Sequence, residues 1–208
     1  MNNSFLNMLN ELPENDIKCV FDNKPGNEKF LSNNSPFNSP EFKKSYALLS
    51  KLCEKNVVMH CLAVSVYTYE LGLKIKNKGH NINLELAVIG ALLHDIGRCK
   101  THGIEHGIEG GKILRKYNFN EELALIAERH IGAGIPKNEA VELGLPPRDY
   151  IPLTLEEKLV AHCDNLISGT KRVDIDFVVN KFKKRMNLSH PSITRILNLN
   201  YEINKLLI

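Results

Sequence analysis

From Pro40 to its C-terminus the chain repeats apolar residues every three or four positions, and no stretch alternates strictly between apolar and polar over the length of a strand. That period lines one face of an α-helix with apolar side chains, so an all-α fold is expected. EFKKSYALLSKLCEKN puts Phe42, Tyr46, Leu49 and Cys53 on one face and is expected to end at Asn56. The next run, VVMHCLAVSVYTYELGLKIKNKG, is apolar round most of its circumference until a lysine-rich last turn and Gly79, the pattern of a buried central helix. Asn83 offers a cap to NLELAVIGALLHDIG, expected to stop at Gly97. Further helices are expected from about Ile104 to Tyr117, and from the cap Asn120 through EELALIAERH to Gly132 and Gly134. Thr154 and Glu157 form a capping-box pattern opening TLEEKLVAHCDNLIS. VDIDFVVNKFKKRM and, behind Pro191, SITRILNLNYEINKLL read as amphipathic helices.

A length of 208 residues with 43% hydrophobic content suits one core. Residues 1–40, rich in Asn with Ser and Pro in LSNNSPFNSP, bury too little apolar surface to offset their chain entropy and are expected to form a loosely ordered extension. A short amphipathic helix through Phe5, Leu6, Met8 and Leu9 is the alternative there. Residues 41–208 are expected to form the domain. GAGIPKNEAVELGLPPRDYIP, residues 132–152, breaks helices with Gly and Pro and is expected to be a long surface loop holding at most one short helix. A net charge of +3 is too mild to indicate nucleic acid as a partner. Five scattered cysteines without a C-x-x-C pair imply neither a disulfide framework nor a zinc ribbon. With no signal-peptide pattern and no apolar run long enough to span a bilayer, a cytoplasmic protein without a membrane partner is expected.

The segment LLHDIGRCKTHGIEHG holds three of the eight histidines. His94 and Asp95 are adjacent at a helix end, projecting about 100° apart, so both reach one centre only if it lies off the end of the helix. A metal ion is the natural centre for imidazoles and carboxylates together. The other candidates are His60, His102, His106, His130 and Asp164, each on an apolar or Gly-rich background. An ionised Asp164 on the apolar face of its helix needs a metal, an ion pair or strong hydrogen bonds. Singly, each of these residues could be a satisfied core histidine or a capping aspartate; a shared metal accounts for them jointly.

His60 in VVMHCLAV, the pair in LLHDIG and Asp164 in LVAHCDNLI resemble, in order and placement, the HD-domain metal-dependent phosphohydrolases, in the subgroup named for its His-Asp-Ile-Gly signature. HGIEGGKIL from His106 and AERHIGAGI around His130 are similar to segments of the bacterial symmetrical dinucleoside tetraphosphatases, where six ligands hold two ions. The stretch from His60 to about Arg172 also looks like a family of small, mostly archaeal HDIG proteins. The resemblance implies a single helical-bundle domain with His60, His94, Asp95, His106, His130 and Asp164 as metal ligands, Asp95 bridging. It implies one or two divalent transition-metal ions as cofactor, with Fe, Mn, Co, Ni and Zn all compatible. His102 stays outside the ligand set, as a general acid or a hydrogen-bond partner of a ligand.

The implied activity is hydrolysis of a phosphoester or phosphoanhydride by a metal-activated water, in a small phosphorylated partner of which a nucleotide is the leading candidate. Asp95, Arg98 and His102 are the candidate catalytic residues. Arg98 is the leading phosphate clamp, with Arg129 and Arg148 as further substrate-binding candidates and Lys171 and Arg172 behind them. The 132–152 loop is expected to wall the pocket and set specificity. Gly107, Gly110 and Gly111 are expected to let their helix approach the metal centre or a neighbouring helix. The alternatives are a di-iron oxygenase using the same ligands and a regulatory or RNA-associated module without catalysis. No Walker loop, dinucleotide fingerprint or G-x-S-x-G elbow is present.

Overall fold

The computed structural model describes residues 35–185 and 191–208. The helix proposed through Phe5 to Leu9, Cys19 and most of the expected extension lie outside these residues. The order is α1 (Pro40–Leu52), α2 (Lys55–Asn77), α3 (Leu84–Leu93), α4 (His106–Lys116), α5 (Glu121–Arg129), α6 (Lys137–Glu142), α7 (Leu155–Asn165), β1 (Ile167–Ser168), β2 (Lys171–Arg172), α8 (Ile175–Arg185) and α9 (Pro191–Lys205). The fold is all-α apart from the β1–β2 hairpin. No helix among the described residues is long and apolar enough to cross a membrane.

Local chemistry sets the helix starts. Ser39, Asn83, Asn120 and Thr154 each accept a backbone N–H with their side-chain oxygen, at 3.1, 3.1, 3.0 and 3.2 Å, satisfying donors that the first turn leaves free. The expected capping box at Thr154 is half formed. Glu157 turns its carboxylate to the Leu153 N–H and to Arg129 instead of to its own cap. α2 and α3 cross at the centre, with every residue of α3 from Ala87 to Leu93 buried. Gly90 lets Ile126 of α5 lie against α3, since a Cβ there would sit 2.4 Å from its Cδ1. Packing begins ahead of the boundary expected at residue 41: Phe37 is buried and meets Phe42 and Tyr69 edge-on.

Several expectations are corrected. α1 stops at Leu52, because the chain turns extended at Cys53 and Asn56 already belongs to α2. α3 ends at Leu93 with His94 as its cap, and Ile96–Cys99 form a 3₁₀ turn, so Gly97 is no helix stop. Its lack of a side chain serves contact instead: a Cβ would lie 1.9 Å from the His106 carbonyl oxygen. The helix holding Asp164 ends at Asn165, and Ile167 pairs with Arg172 across a turn at Gly169, whose φ is +62°. The 132–152 segment does hold one short helix, but it builds a satellite core in which Ile135, Ala140, Leu145 and Tyr150 pack on Ile108.

Candidate metal centre

Five elements meet at one point. His94 caps the C-terminus of α3 and His130 that of α5, His106 opens α4, His60 lies early in α2, and Asp164 is in the last turn of α7. The three small residues on α4 admit this convergence: Cβ atoms on Gly107 and Gly111 would lie 2.9 Å from the Ala127 carbonyl oxygen and 2.5 Å from the Glu128 carboxylate of α5. The expected close approach is therefore to the neighbouring helix.

Each imidazole is oriented from behind. Nδ1 of His94, His106 and His130 lies 2.7, 2.7 and 2.8 Å from the carbonyl oxygens of Ala91, Gly103 and Ala127, three residues back in each case. His60 Nδ1 lies 2.8 Å from the Gly169 carbonyl in the hairpin turn. A carbonyl oxygen only accepts, so Nδ1–H donates in all four, and every Nε2 is left facing the centre, where a neutral ring would offer its lone pair.

The carboxylates complete two sets. Asp164 Oδ1 lies 3.0 Å from His60 Nε2 and 3.4 Å from His94 Nε2, with Asp95 Oδ2 at 3.9 and 3.7 Å from the same nitrogens. Asp95 Oδ1 lies 3.1 Å from His106 Nε2 and 3.5 Å from His130 Nε2, and those nitrogens are 3.1 Å apart. With neutral rings, acceptors would face acceptors at contact distance. His94 Nε2 and Asp95 Oδ1 are buried with no hydrogen-bond partner.

The electrostatics ask for a cation there. Burial would raise the Asp95 and Asp164 pKa values, but the surrounding imidazoles outweigh it and hold both well below the ordinary carboxylate range. Burial would keep His94 neutral, yet Asp95 and Asp164 lift its pKa to about 9. His130, buried among the other imidazoles, is pushed below its usual value. The donors suit one ion held by His60, His94, Asp164 and Asp95 Oδ2, and a second by Asp95 Oδ1, His106 and His130.

A cavity of about 500 Å³ opens over these residues. Arg98 and His102 line it. Arg98 Nε donates to Asp95 Oδ2 at 2.5 Å, and His102 is exposed in the bend before α4. The structure does not bring the other candidate arginines there. Arg129 is turned to Glu157, with Nη1 3.0 Å from both carboxylate oxygens. Arg148 pairs with buried Glu128 at 2.8 Å and lies over the Tyr150 ring. Arg172 is held by Glu70 and Tyr67, and Lys171 is exposed outside the cavity. The 132–152 loop contributes only Gly132 to the lining, because its apolar residues are spent on the satellite core. The opposite wall is the hairpin turn and α8, through Phe177, Val178, Lys181 and Phe182. Sequence reasoning missed this wall; its signal was the apolar face of VDIDFVVNKFKKRM interrupted by one lysine.

Residues 57–169, a span that includes all six candidate ligands, match the HD domain family. A Methanocaldococcus jannaschii protein described only as uncharacterized is 66% identical over 167 residues, covering 80% of this chain and 99% of that protein. A tRNA (cytidine(56)-2'-O)-methyltransferase of Thermoplasma volcanium is 47% identical over 116 residues, 56% of this chain, and the match spans only 34% of that enzyme. The solved HD domain of the Listeria monocytogenes phosphodiesterase PgpH aligns at 17% identity with a TM-score of 0.47, over 77% of this chain and 99% of the other. None of these three is described as a dinucleoside tetraphosphatase, and that finer resemblance rests on the His106 and His130 segments alone.

Proposed function

The chain belongs to the HD-domain family, and on that premise we propose that it is a metal-dependent phosphohydrolase that cleaves a phosphoester or phosphoanhydride of a nucleotide or related small phosphate ester. The observation that carries this reading is the placement of Asp95, which turns one carboxylate oxygen to each of two histidine sets whose Nε2 atoms already face it. Divalent ions in those sets would supply a Lewis acid and lower the pKa of a water toward neutrality. The protein's own part is to hold that centre and the substrate. The backbone carbonyls fix the imidazoles in one tautomer, Arg98 anchors Asp95 and adds positive charge at the cavity, and the phosphate enters between Arg98 and the ligands. As the water oxygen bonds to phosphorus and the bond to the leaving oxygen breaks, His102, which lines the cavity, is the candidate to give that oxygen a proton.

A second reading, an RNA-associated module without turnover, is favoured by the methyltransferase that carries a similar stretch over a third of its length. The experiment is metal analysis of the purified protein and of Asp95→Ala, with phosphate release from nucleotides and dinucleoside polyphosphates under added Mn, Co, Ni, Fe or Mg. Metal-dependent release lost in Asp95→Ala is expected. Bound metal with tight RNA binding and no release would move the assignment to the module. Two bound irons with oxygen-dependent turnover and no release would move it to an oxygenase.

A further inference from the structure

The cavity has two unlike walls. One carries the ligands, Arg98 and His102; the other, on α8, carries Phe177, Val178, Lys181 and Phe182. Val178 is buried, and Phe182 packs on the core with Cζ 4.0 Å from where a Cβ on Gly132 would stand, which ties this wall to the loop after His130. Phe177 and Lys181, one helical turn apart, are thereby held at the cavity while staying exposed.

Charge singles out Lys181. Among the described residues, it and Arg98 are the cavity's only lysine or arginine residues, and Arg98 is committed to Asp95. Lys181 has no carboxylate three or four residues away on α8, where the neighbours are Phe177, Val178, Lys184 and Arg185, and no ion pair among the described residues. Shape singles out Phe177: the residue is 47% exposed although it lines a cavity. A ligand that is polar all round would leave that apolar surface in water, whereas a flat ring would bury it.

We propose that α8 is the substrate-recognition wall of this site, with Lys181 taking a phosphate oxygen and Phe177 stacking on a planar ring, so that the ligand is a phosphate ester of a ring-bearing alcohol such as a nucleoside. This deepens the hydrolase reading and rests on its placement of the phosphate beside the metal ligands. Phe177 and Lys181 act in binding and selectivity; the chemistry stays with the opposite wall.

The test is calorimetry of the metal-loaded full chain with adenosine 5′-monophosphate, ribose 5-phosphate and inorganic phosphate at two ionic strengths, with phosphate release followed in parallel. The native protein should bind the nucleotide about tenfold tighter than the base-free sugar phosphate, and Phe177→Ala should abolish that difference. Lys181→Ala should weaken all three probes by about fivefold and flatten the salt dependence, and Lys181→Arg should restore both. Lys184→Ala, on the same helix but outside the cavity, should change neither. Equal binding of nucleotide and sugar phosphate by the native protein, an unchanged ratio in Phe177→Ala, an equal loss in Lys184→Ala, or no binding of any probe would each overturn the proposal. Because binding and release are read separately, ring-selective binding with no release from these esters or from dinucleoside polyphosphates would defeat the hydrolase reading and leave this one standing.

Discussion

Replacing Gly97 by alanine would drive a methyl group into the backbone of α4. Its Cβ would stand 1.9 Å from the His106 carbonyl oxygen and 2.5 Å from the Gly110 nitrogen, where real contacts essentially never fall below 3.0 Å. Both obstacles are main chain, so no rotamer change relieves them. Either the helix start or the 3₁₀ turn after Asp95 must retreat by about 1 Å. Whichever gives, the 3.1 Å separation of Asp95 Oδ1 and His106 Nε2 is what changes, and metal–ligand distances tolerate only about 0.2 Å. Overpacking of this kind costs about 1–3 kcal/mol, which for a chain of this size lowers Tm by roughly 5 °C. The assay is mass-spectrometric metal analysis beside a thermal melt and the hydrolysis rate. Gly97→Ala should stay folded, bind less metal than the native chain because the proposed His106 and His130 set is opened, and fall in rate by about 100-fold. Gly79→Ala is the comparison: at φ +90° with nothing within 4 Å of a Cβ, it should cost about 1 kcal/mol and keep its metal. Full metal content, rate and Tm in Gly97→Ala would refute the close-approach argument.

Arg129→Ala should destabilise by about 3 kcal/mol, because it strands buried Glu157, while metal content holds; denaturant unfolding with metal analysis reads both. Arg148→Ala should cost less than about 1 kcal/mol, since its side chain is half exposed and Glu128 keeps Arg115; a loss as large as that of Arg129→Ala would contradict this ranking. His162, buried, has its pKa pushed down to about 4 from an ordinary 6.5. Between those values the unfolded chain takes up a proton that the folded chain refuses, so stability falls as pH falls through this window, by about 3 kcal/mol in all. In chelator-treated protein, the drop in urea midpoint from pH 7 to 4.5 should be smaller in His162→Leu than in the native chain, the remainder including buried His130; an equal drop in both would exclude His162 as a cause.

The helices and their caps are local facts, and the sequence determined them: Asn83, Asn120 and Thr154 start helices because a side-chain oxygen three residues upstream satisfies a free N–H whatever the rest of the chain does. His94 and Asp95 at a helix end, with His60, His106, His130 and Asp164 on apolar backgrounds, were legible for a similar reason, since a buried polar residue without a local partner shows in the pattern. What Arg129 and Arg148 face was not legible. Their partners lie 28 and 20 positions away, and a guanidinium goes to whichever carboxylate packing brings near. The hairpin after Asp164, too short to show a period, and the satellite core of the 132–152 loop were hidden in the same way. The tertiary structure alone decided which wall faces the candidate metal ligands: α8 carries its apolar face like any amphipathic helix, and only its docking beside Gly132 makes Phe177 and Lys181 the lining of the cavity.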